Sequence, residues 1–203
     1  MPEGISAEID VVSMGGMVMG VQIREIVPQR YPEDRPLVAD LGLWQVLHVK
    51  SNWEKKVAAY LMGKNISYYL PSRSVRMTIA CRRSTRITEV PLFRGYVCYA
   101  LERDDHHLLY GSGMFVRILQ VEDQERFVTE LEAVGKAIQT RDDLVLRPGV
   151  FPGKKVVILS GPLKGTEGVV VGRGRRRSLA LSVEMFNQTV LVRIDPFTDV
   201  RPV

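Results

Sequence analysis

The sequence predicts an α+β fold: an antiparallel sheet sandwiched with helices, followed by a small β-barrel. Three observations lead there. Two helical stripes, Trp53–Val57–Tyr60–Leu61 and Phe127–Leu131–Val134–Ile138, stand among short strand-like runs between Trp44 and Ile138, the mix that builds an α+β sandwich. A polar stretch, Thr140 to Pro148, then breaks the pattern as a linker does. Beyond it the apolar runs become short, β-branched and punctuated by Gly and Pro, which reads as strand and turn repeated.

Composition narrows the function classes. With 203 residues and 45% hydrophobic content, the chain has enough apolar surface for one large or two small cores. Its 28 basic and 23 acidic residues leave a charge of +5, a modest excess that is compatible with a nucleic-acid-containing partner and does not demand one. Two cysteines, Cys81 and Cys98, cannot scaffold a secreted fold, so a reduced, cytoplasmic setting is expected. No apolar run approaches the roughly 18 to 20 residues that cross a bilayer. The segment Ile9 to Ile23 has Glu3, Glu8 and Asp10 ahead of it, where a signal peptide carries cations. Residues 1–42, with their methionines and then Pro28, Pro32 and Pro36, read as a poorly ordered leader holding at most a short strand or helix. An overextended start codon would look the same.

Taken in order, Trp44 to Lys50 alternates as a strand, with Trp44, Val46 and His48 on one face and Gln45, Leu47 and Val49 on the other. Ser51-Asn-Trp-Glu54 fits a capping box in which Glu54 reaches back to the Ser51 amide, and Gly63 closes the helix. Ile66 to Leu70 is a strand stopped by Pro71. Arg73 to Arg86 reads as a basic, partly exposed hairpin, through Arg73, Arg76, Arg82, Arg83 and Arg86. Such a hairpin serves either as a charged edge that resists aggregation or as a contact for nucleic acid or an acidic surface. In the strand from Gly95, Tyr96, Cys98 and Ala100 share one face and Val97, Tyr99 and Leu101 the other. With both faces apolar, the strand needs a helix on one side and something else, such as a partner protein, on the other. Asp104-Asp-His-His107 is a polar loop rather than a metal site, because adjacent side chains diverge and no further ligands lie near in sequence. Met114 to Leu119 is a strand, and Asp123 caps the second helix.

In the last third, Val156–Leu159 and Val169–Val171 flank a loop with Gly161, Gly165 and Gly168. Gly153 is expected to permit the turn into the first of these strands, and Gly168 to let the second backbone pass close to it. Leu179, Leu181 and Val183, and then Val190, Val192 and Ile194, alternate as half-buried strands. The tip Gly172-Arg-Gly-Arg-Arg-Arg177 offers Arg173, Arg175, Arg176 and Arg177, and Met185-Phe186-Asn187-Gln188 forms the next turn.

These motifs in this order resemble the NusG family, including its RfaH-like specialised paralogues, from Leu43 to Val203. Trp44-Gln-Val-Leu, Glu54-Lys-Lys-Val-Ala and Pro91-Leu-Phe-Arg-Gly-Tyr-Val carry the resemblance to the N-terminal (NGN) domain. Phe151-Pro-Gly-Lys with Gly161-Pro-Leu-Lys-Gly-Thr-Glu-Gly carries that to the SH3-like KOW barrel. The resemblance implies an NGN domain over 43–139, a linker over 140–148 and a KOW domain over 149–203. It also implies a monomeric factor without catalysis or cofactor that acts in transcription elongation, antitermination or termination. The implied docking face for the clamp helices of the largest RNA polymerase subunit is His48, Phe93, Tyr96 and Cys98. The implied KOW contact with Rho or a small-subunit ribosomal protein is Met185, Phe186 and Asn187. Nucleic acid in the elongation complex would meet Arg82, Arg83, Arg86, Arg173, Arg175, Arg176 and Arg177.

Three departures favour a specialised paralogue: Arg94 stands where the family has Pro, the segment from Leu101 to Met114 is short, and Asn187 replaces a Gly. Asn tolerates the positive φ that such a turn requires. A different class remains: an RNA-binding or ribosome-associated KOW protein, which would have no need of the first domain. An enzyme is not supported, since the sequence has no phosphate-loop pattern, no paired metal-ligand histidines and no nucleophile elbow.

Overall fold

The computed structural model describes residues 27–79, 84–102, 107–109, 113–140, 144–172 and 177–203, with backbone alone at 77–79 and 84–86. The first elements are β1 (Arg30–Tyr31), β2 (Leu43–Val49), α1 (Glu54–Gly63), β3 (Ser67–Tyr69), β4 (Ser72–Ile79), β5 (Ser84–Pro91), β6 (Tyr96–Leu101), β7 (Phe115–Gln120) and α2 (Gln124–Thr140). Strands β1-β3-β6-β2-β7 form one sheet in that order, every pairing antiparallel. The arginine-rich stretch is a separate hairpin, β4 against β5, in register from Ser72↔Pro91 to Ile79↔Ser84.

The alternation along β2 and β6 decides which helix covers which face. Leu47, Val49, Val97, Tyr99 and Leu101 cluster with Val57, Ala58 and Leu61 of α1. Trp44, Val46, Cys98 and Ala100 cluster on the opposite face with Phe127, Leu131 and Val134 of α2. The second face of β6, which sequence alone leaves without a cover, is therefore closed largely from within the chain. Gln45, buried among apolar neighbours, accepts from Tyr99 Oη at 2.5 Å and donates to Gln120 Oε1 at 3.1 Å, which satisfies its amide.

The helix termini follow the sequence at one end of the chain and not at the other. Asp123 Oδ1 accepts the Arg126 amide at 3.0 Å, the N-cap bond expected for α2. At α1 the capping box does not form: Trp53 is the N-cap and makes no side-chain cap bond. The Glu54 carboxylate instead turns inward and accepts the Gly95 N–H at 2.7 Å. Trp53 is only half-buried and carries the Lys50 and Lys56 ammonium groups over its ring at 5.2 and 4.9 Å. After Gly63 the left-handed residue is Asn65, at φ 57°.

Residues 27–42 pack on the first sheet: Tyr31 pairs with Tyr68, Arg30 meets Asp40 at 2.6 Å, and the Trp44 indole donates to the Leu37 carbonyl at 3.1 Å. Gly42 enters β2 at φ +87°, and a Cβ there would lie 2.2 Å from the Leu101 carbonyl carbon. Gly42→Ala is therefore expected to cost at least the roughly 1–3 kcal/mol of a strained backbone and to lower the urea midpoint. Gly63→Ala, where a Cβ meets nothing within 4 Å, is the matched control and should be neutral or slightly stabilising.

The remaining strands are β8 (Val145–Pro148), β9 (Lys155–Ile158), β10 (Glu167–Val171), β11 (Ser178–Val183), β12 (Gln188–Arg193) and β13 (Val200–Pro202). Val145–Pro148, inside the stretch expected as a linker, pairs with β12. The expected SH3-like barrel does not form. The six strands make an open sheet, β13-β9-β10-β11-β12-β8, whose two ends do not meet. Both edge strands are short and end in proline, Pro148 and Pro202, which offers no N–H to a closing ladder. The apolar face is completed by other means: Leu179, Leu181, Val183, Val190 and Val192 share one core with Phe127, Leu131 and Val134 of α2. One helix thus lies between two sheets.

Gly168 is required by a close approach, though the approaching strand is not the expected one. A Cβ there would lie 2.8 Å from the Ala180 carbonyl oxygen and 3.0 Å from the Leu179 side chain, both on β11. Gly153, at φ +152°, leaves room for Val169, whose Cγ1 would lie 2.7 Å from a Cβ.

Candidate functional site

The site grows from the turn between β5 and β6. Gly95, at φ +81°, is held on both sides: its N–H donates to Glu54, and its carbonyl accepts the Val49 amide at 2.8 Å. The turn places Phe93 and Tyr96 on the α2 side of the first sheet. The pairing His48↔Tyr96 brings in the imidazole, whose ring stacks on Tyr96 at 5.3 Å. His48 Nδ1 is buried and makes no hydrogen bond. Cys98 lies on the same face but only 1% exposed, and burial pushes its thiol well above the usual range, so it forms the floor of the face rather than its surface.

Onto this face comes the turn between β11 and β12. Glu184–Phe186 is one 3-10 turn, ended by Asn187 in the left-handed region at φ 49°, ψ 45°. That conformation turns the chain back into β12, and the Gly149 amide donates to the Asn187 carbonyl at 2.7 Å. The turn aims Phe186 at the first sheet. Its ring lies 4.6 Å from Phe93, 5.0 Å from Tyr96 in a stacked arrangement, and 6.2 Å from Phe127 edge-on. Phe186 is 6% exposed, and Met185 is half-buried against the same core.

A polar fringe lines one side. Arg126 bonds Glu130 at 3.1 Å and also pairs with Glu184, and Glu130 Oε2 accepts the Glu184 amide at 3.1 Å. Burial pushes the Glu130 carboxyl up, while the Glu184 N–H and Arg126 pull it down. Arg126 is 39% exposed and Glu184 47%, and such solvated pairs contribute about 0–1 kcal/mol. The aromatic cluster carries the contact. Each aromatic pair adds about 0.5–1.5 kcal/mol beyond the area it buries.

The fold thus brings His48, Phe93, Tyr96 and Phe186 together, with Cys98 beneath, Met185 beside them and Asn187 setting the turn. Arg177 is not among them. Arg177 donates from Nη1 to the Pro196 carbonyl at 3.0 Å, so its guanidinium braces the turn after β12. Arg82, Arg83, Arg173, Arg175 and Arg176 lie outside the described residues, as does the side chain of Arg86. Of the polar loop, Asp104, Asp105 and His106 also lie outside them. Among the described residues no cluster of His, Cys, Asp or Glu could hold a metal. No helix among them is long and apolar enough to cross a membrane.

Sequence reading missed Phe127 as a wall of the site and Glu54 as the anchor of its turn. The helical stripe marked Phe127 as buried, though nothing in it told which sheet the ring would meet.

The family model described as transcription termination factor NusG matches residues 42–145. The chain is similar to the structure titled "Domain interaction in Thermotoga maritima NusG", at 16% identity and TM-score 0.38, over 76% of this chain and 93% of that one. It is similar to an MjSpt4:Spt5 complex in conformation B, at 17% identity and TM-score 0.28, over 79% and 97%. No curated protein matched. The match defines a transcription factor of a class without catalytic activity. The chain belongs to the NusG family. Its general function is that of a NusG-type elongation factor, and proteins of this family generally contact RNA polymerase and sometimes Rho.

Proposed function

We propose that this chain is a cytoplasmic, monomeric elongation or antitermination factor of the specialised, RfaH-like kind. Residues 43–139 form its polymerase-binding domain and 149–203 the recruiting domain; the connection 140–148 ends in β8, the edge strand of the recruiting sheet. His48, Phe93 and Tyr96, floored by Cys98, dock on the clamp helices of the largest RNA polymerase subunit. Met185, Phe186 and Asn187 engage a second protein, a small-subunit ribosomal protein or Rho. Arg82, Arg83, Arg86, Arg173, Arg175 and Arg176 contact nucleic acid within the elongation complex.

The observation that supports the reading is the aromatic face itself. Phe93 and Tyr96 are presented by one turn, with His48 of β2 stacked on Tyr96, and Phe186 from a separate sheet meets the Phe93 and Tyr96 rings. The two proposed contact surfaces thus cover each other. The factor engages polymerase when they part, and it favours the elongating enzyme to the extent that it binds that state better.

Tyr96→Asp puts a carboxylate on the docking face and is expected to abolish co-purification with polymerase while the circular dichroism spectrum stays folded. Wild-type recovery of polymerase with this variant would remove the assignment.

A further inference from the structure

The arginine-rich hairpin stands apart from both sheets: among the described residues, β4 and β5 pair only with each other. Two side chains clasp its base. Gln29, beside β1, accepts the Ser72 N–H at 3.3 Å through Oε1 and donates from Nε2 to Glu89 Oε1 at 3.4 Å. Arg73 is the second clasp, and its Nη1 donates to the Leu144 carbonyl at 2.9 Å. The basic residues of this hairpin read from sequence as a charged edge or as a contact surface. The Arg73 guanidinium has a different use, on a backbone carbonyl 71 residues away.

Leu144 travels with the C-terminal sheet. It directly precedes β8, whose Val145 pairs with Leu191 of β12, and it is 3% exposed within the core that α2 shares with that sheet. Arg73 and Leu144 therefore bond across the same boundary that Phe186 closes. Leu191 lies three residues along β12 from Gln188, which follows the Phe186 turn, so this tie sits about 10 Å or more along the strand from that turn. The polar ties at the turn itself run from Arg126 and Glu130 of α2 to Glu184. A sheet fixed at one point is free to swing, and a second tie at a distance from the first restrains it.

We propose, resting on the reading that the two surfaces part when polymerase binds, that Arg73 couples the hairpin to the cover over the docking face. Its bond to Leu144 helps to hold the C-terminal sheet closed, and displacement of the hairpin releases that bond. The position of the hairpin suits the role. β5 ends at Pro91, two residues before Phe93, and the Leu92 N–H donates to the Pro71 carbonyl at 2.7 Å. A partner seated on Phe93 thus adjoins the hairpin base. The strength suits it too. A guanidinium bonds a neutral carbonyl less strongly than a carboxylate, and Arg73 is exposed, so water takes the place of Leu144 when the bond breaks and no buried donor is stranded. The coupling is reciprocal: parting of the sheets also frees the hairpin base.

The test uses the full chain and amide hydrogen exchange at Glu184, whose N–H is held by Glu130 across the boundary and is released when the sheets part. Arg73→Met removes the donor, keeps an unbranched apolar stem and stands at an exposed position. It should speed exchange at Glu184 about 2- to 12-fold, the range for the net loss of one hydrogen bond. Arg73→Lys retains a donor without the planar fork and should recover part of the protection. Gln29→Ala loosens the other clasp. It should speed Glu184 exchange in the wild-type background and add nothing in the Arg73→Met background, the non-additivity that marks two residues acting through one contact. Additive effects of the two substitutions would overturn the coupling. Wild-type exchange in Arg73→Met while Phe186→Asp exchanges faster would also overturn it, and would leave the opening reading in place. Wild-type exchange in both Arg73→Met and Phe186→Asp would overturn the coupling and the opening reading together.

Discussion

Phe186→Asp should separate the C-terminal sheet from the first sheet and increase, rather than reduce, association with polymerase. The ring it removes touches Phe93, Tyr96 and Phe127. Burial of a Phe side chain contributes about 1.5–3 kcal/mol, and its aromatic pairs add a further part. The carboxylate put in its place would be enclosed by aromatic rings, and burying an unpaired charge costs more than the contact is worth. The variant avoids that cost by opening. Each 1.4 kcal/mol of about this loss shifts the closed-to-open ratio tenfold, so a closed state that dominates in the wild type becomes a minor one. Small-angle scattering should report a larger radius of gyration, and Tyr96 should become accessible to solvent probes.

The direction of the polymerase result is what gives the experiment its force. Tyr96→Asp and Phe186→Asp both weaken the covered interface, but only the second leaves the docking face intact. Opposite effects on polymerase recovery are therefore expected from two charges placed about 5 Å apart across one ring stack. Unchanged scattering for Phe186→Asp would mean that the remaining α2 contacts, Leu131 and Val134 against Leu179 and Leu181, hold the sheets without the aromatic turn. The polar fringe should matter little here, because Arg126 and Glu184 are both solvated and such pairs are screened by salt.

How far the sequence foretold this arrangement depends on the range of each interaction. Local signals were legible. The alternation that sends Trp44 and Val46 to one side and Leu47 and Val49 to the other is the one seen in the two cores, and Asp123 caps α2 as its position implied. Features that needed a distant partner were not. Sequence marked Cys98 and Tyr96 as an apolar face in want of a cover, and it marked Phe186 as a turn aromatic. It held no sign that each would answer the other.

The barrel was over-read for a related reason. A period-two pattern with glycine turns specifies pairing between neighbours, and β9, β10, β11 and β12 do pair in sequence order. Closure is a long-range property that the pattern leaves open, because the inward face of a barrel and the helix-covered face of an open sheet carry the same alternation. Leu179, Leu181 and Val183 on β11 meet α2, and the stripe on that helix therefore serves two sheets where one was expected. The capping box at α1 failed similarly. Ser-x-x-Glu spacing is a local rule, and a buried amide 41 residues away won the carboxylate.

That amide leads to the second large effect. Glu54 is 5% exposed and gives its Oε1 to Gly95, the pivot of the turn that presents Phe93 and Tyr96. Glu54→Ala leaves the Gly95 N–H buried without a partner, which costs about 1–3 kcal/mol, and removes the side chain that fills the space beneath the turn. The urea midpoint should fall. Amide exchange at Gly95 should rise well above its wild-type rate, and polymerase affinity should drop because the aromatic face is no longer preorganised. Glu54→Gln keeps an oxygen acceptor in the same place and should recover most of both losses. If Glu54 acted instead as the α1 cap that its spacing suggests, faster exchange would be confined to the amides from Ser51 to Glu54, and Gly95 would stay protected. The stability loss in Glu54→Ala would then leave polymerase binding by the folded fraction unchanged. Faster exchange at Gly95 together with weaker binding by the folded protein would instead identify Glu54 as a positioning residue for the docking face, acting through one hydrogen bond from beneath it.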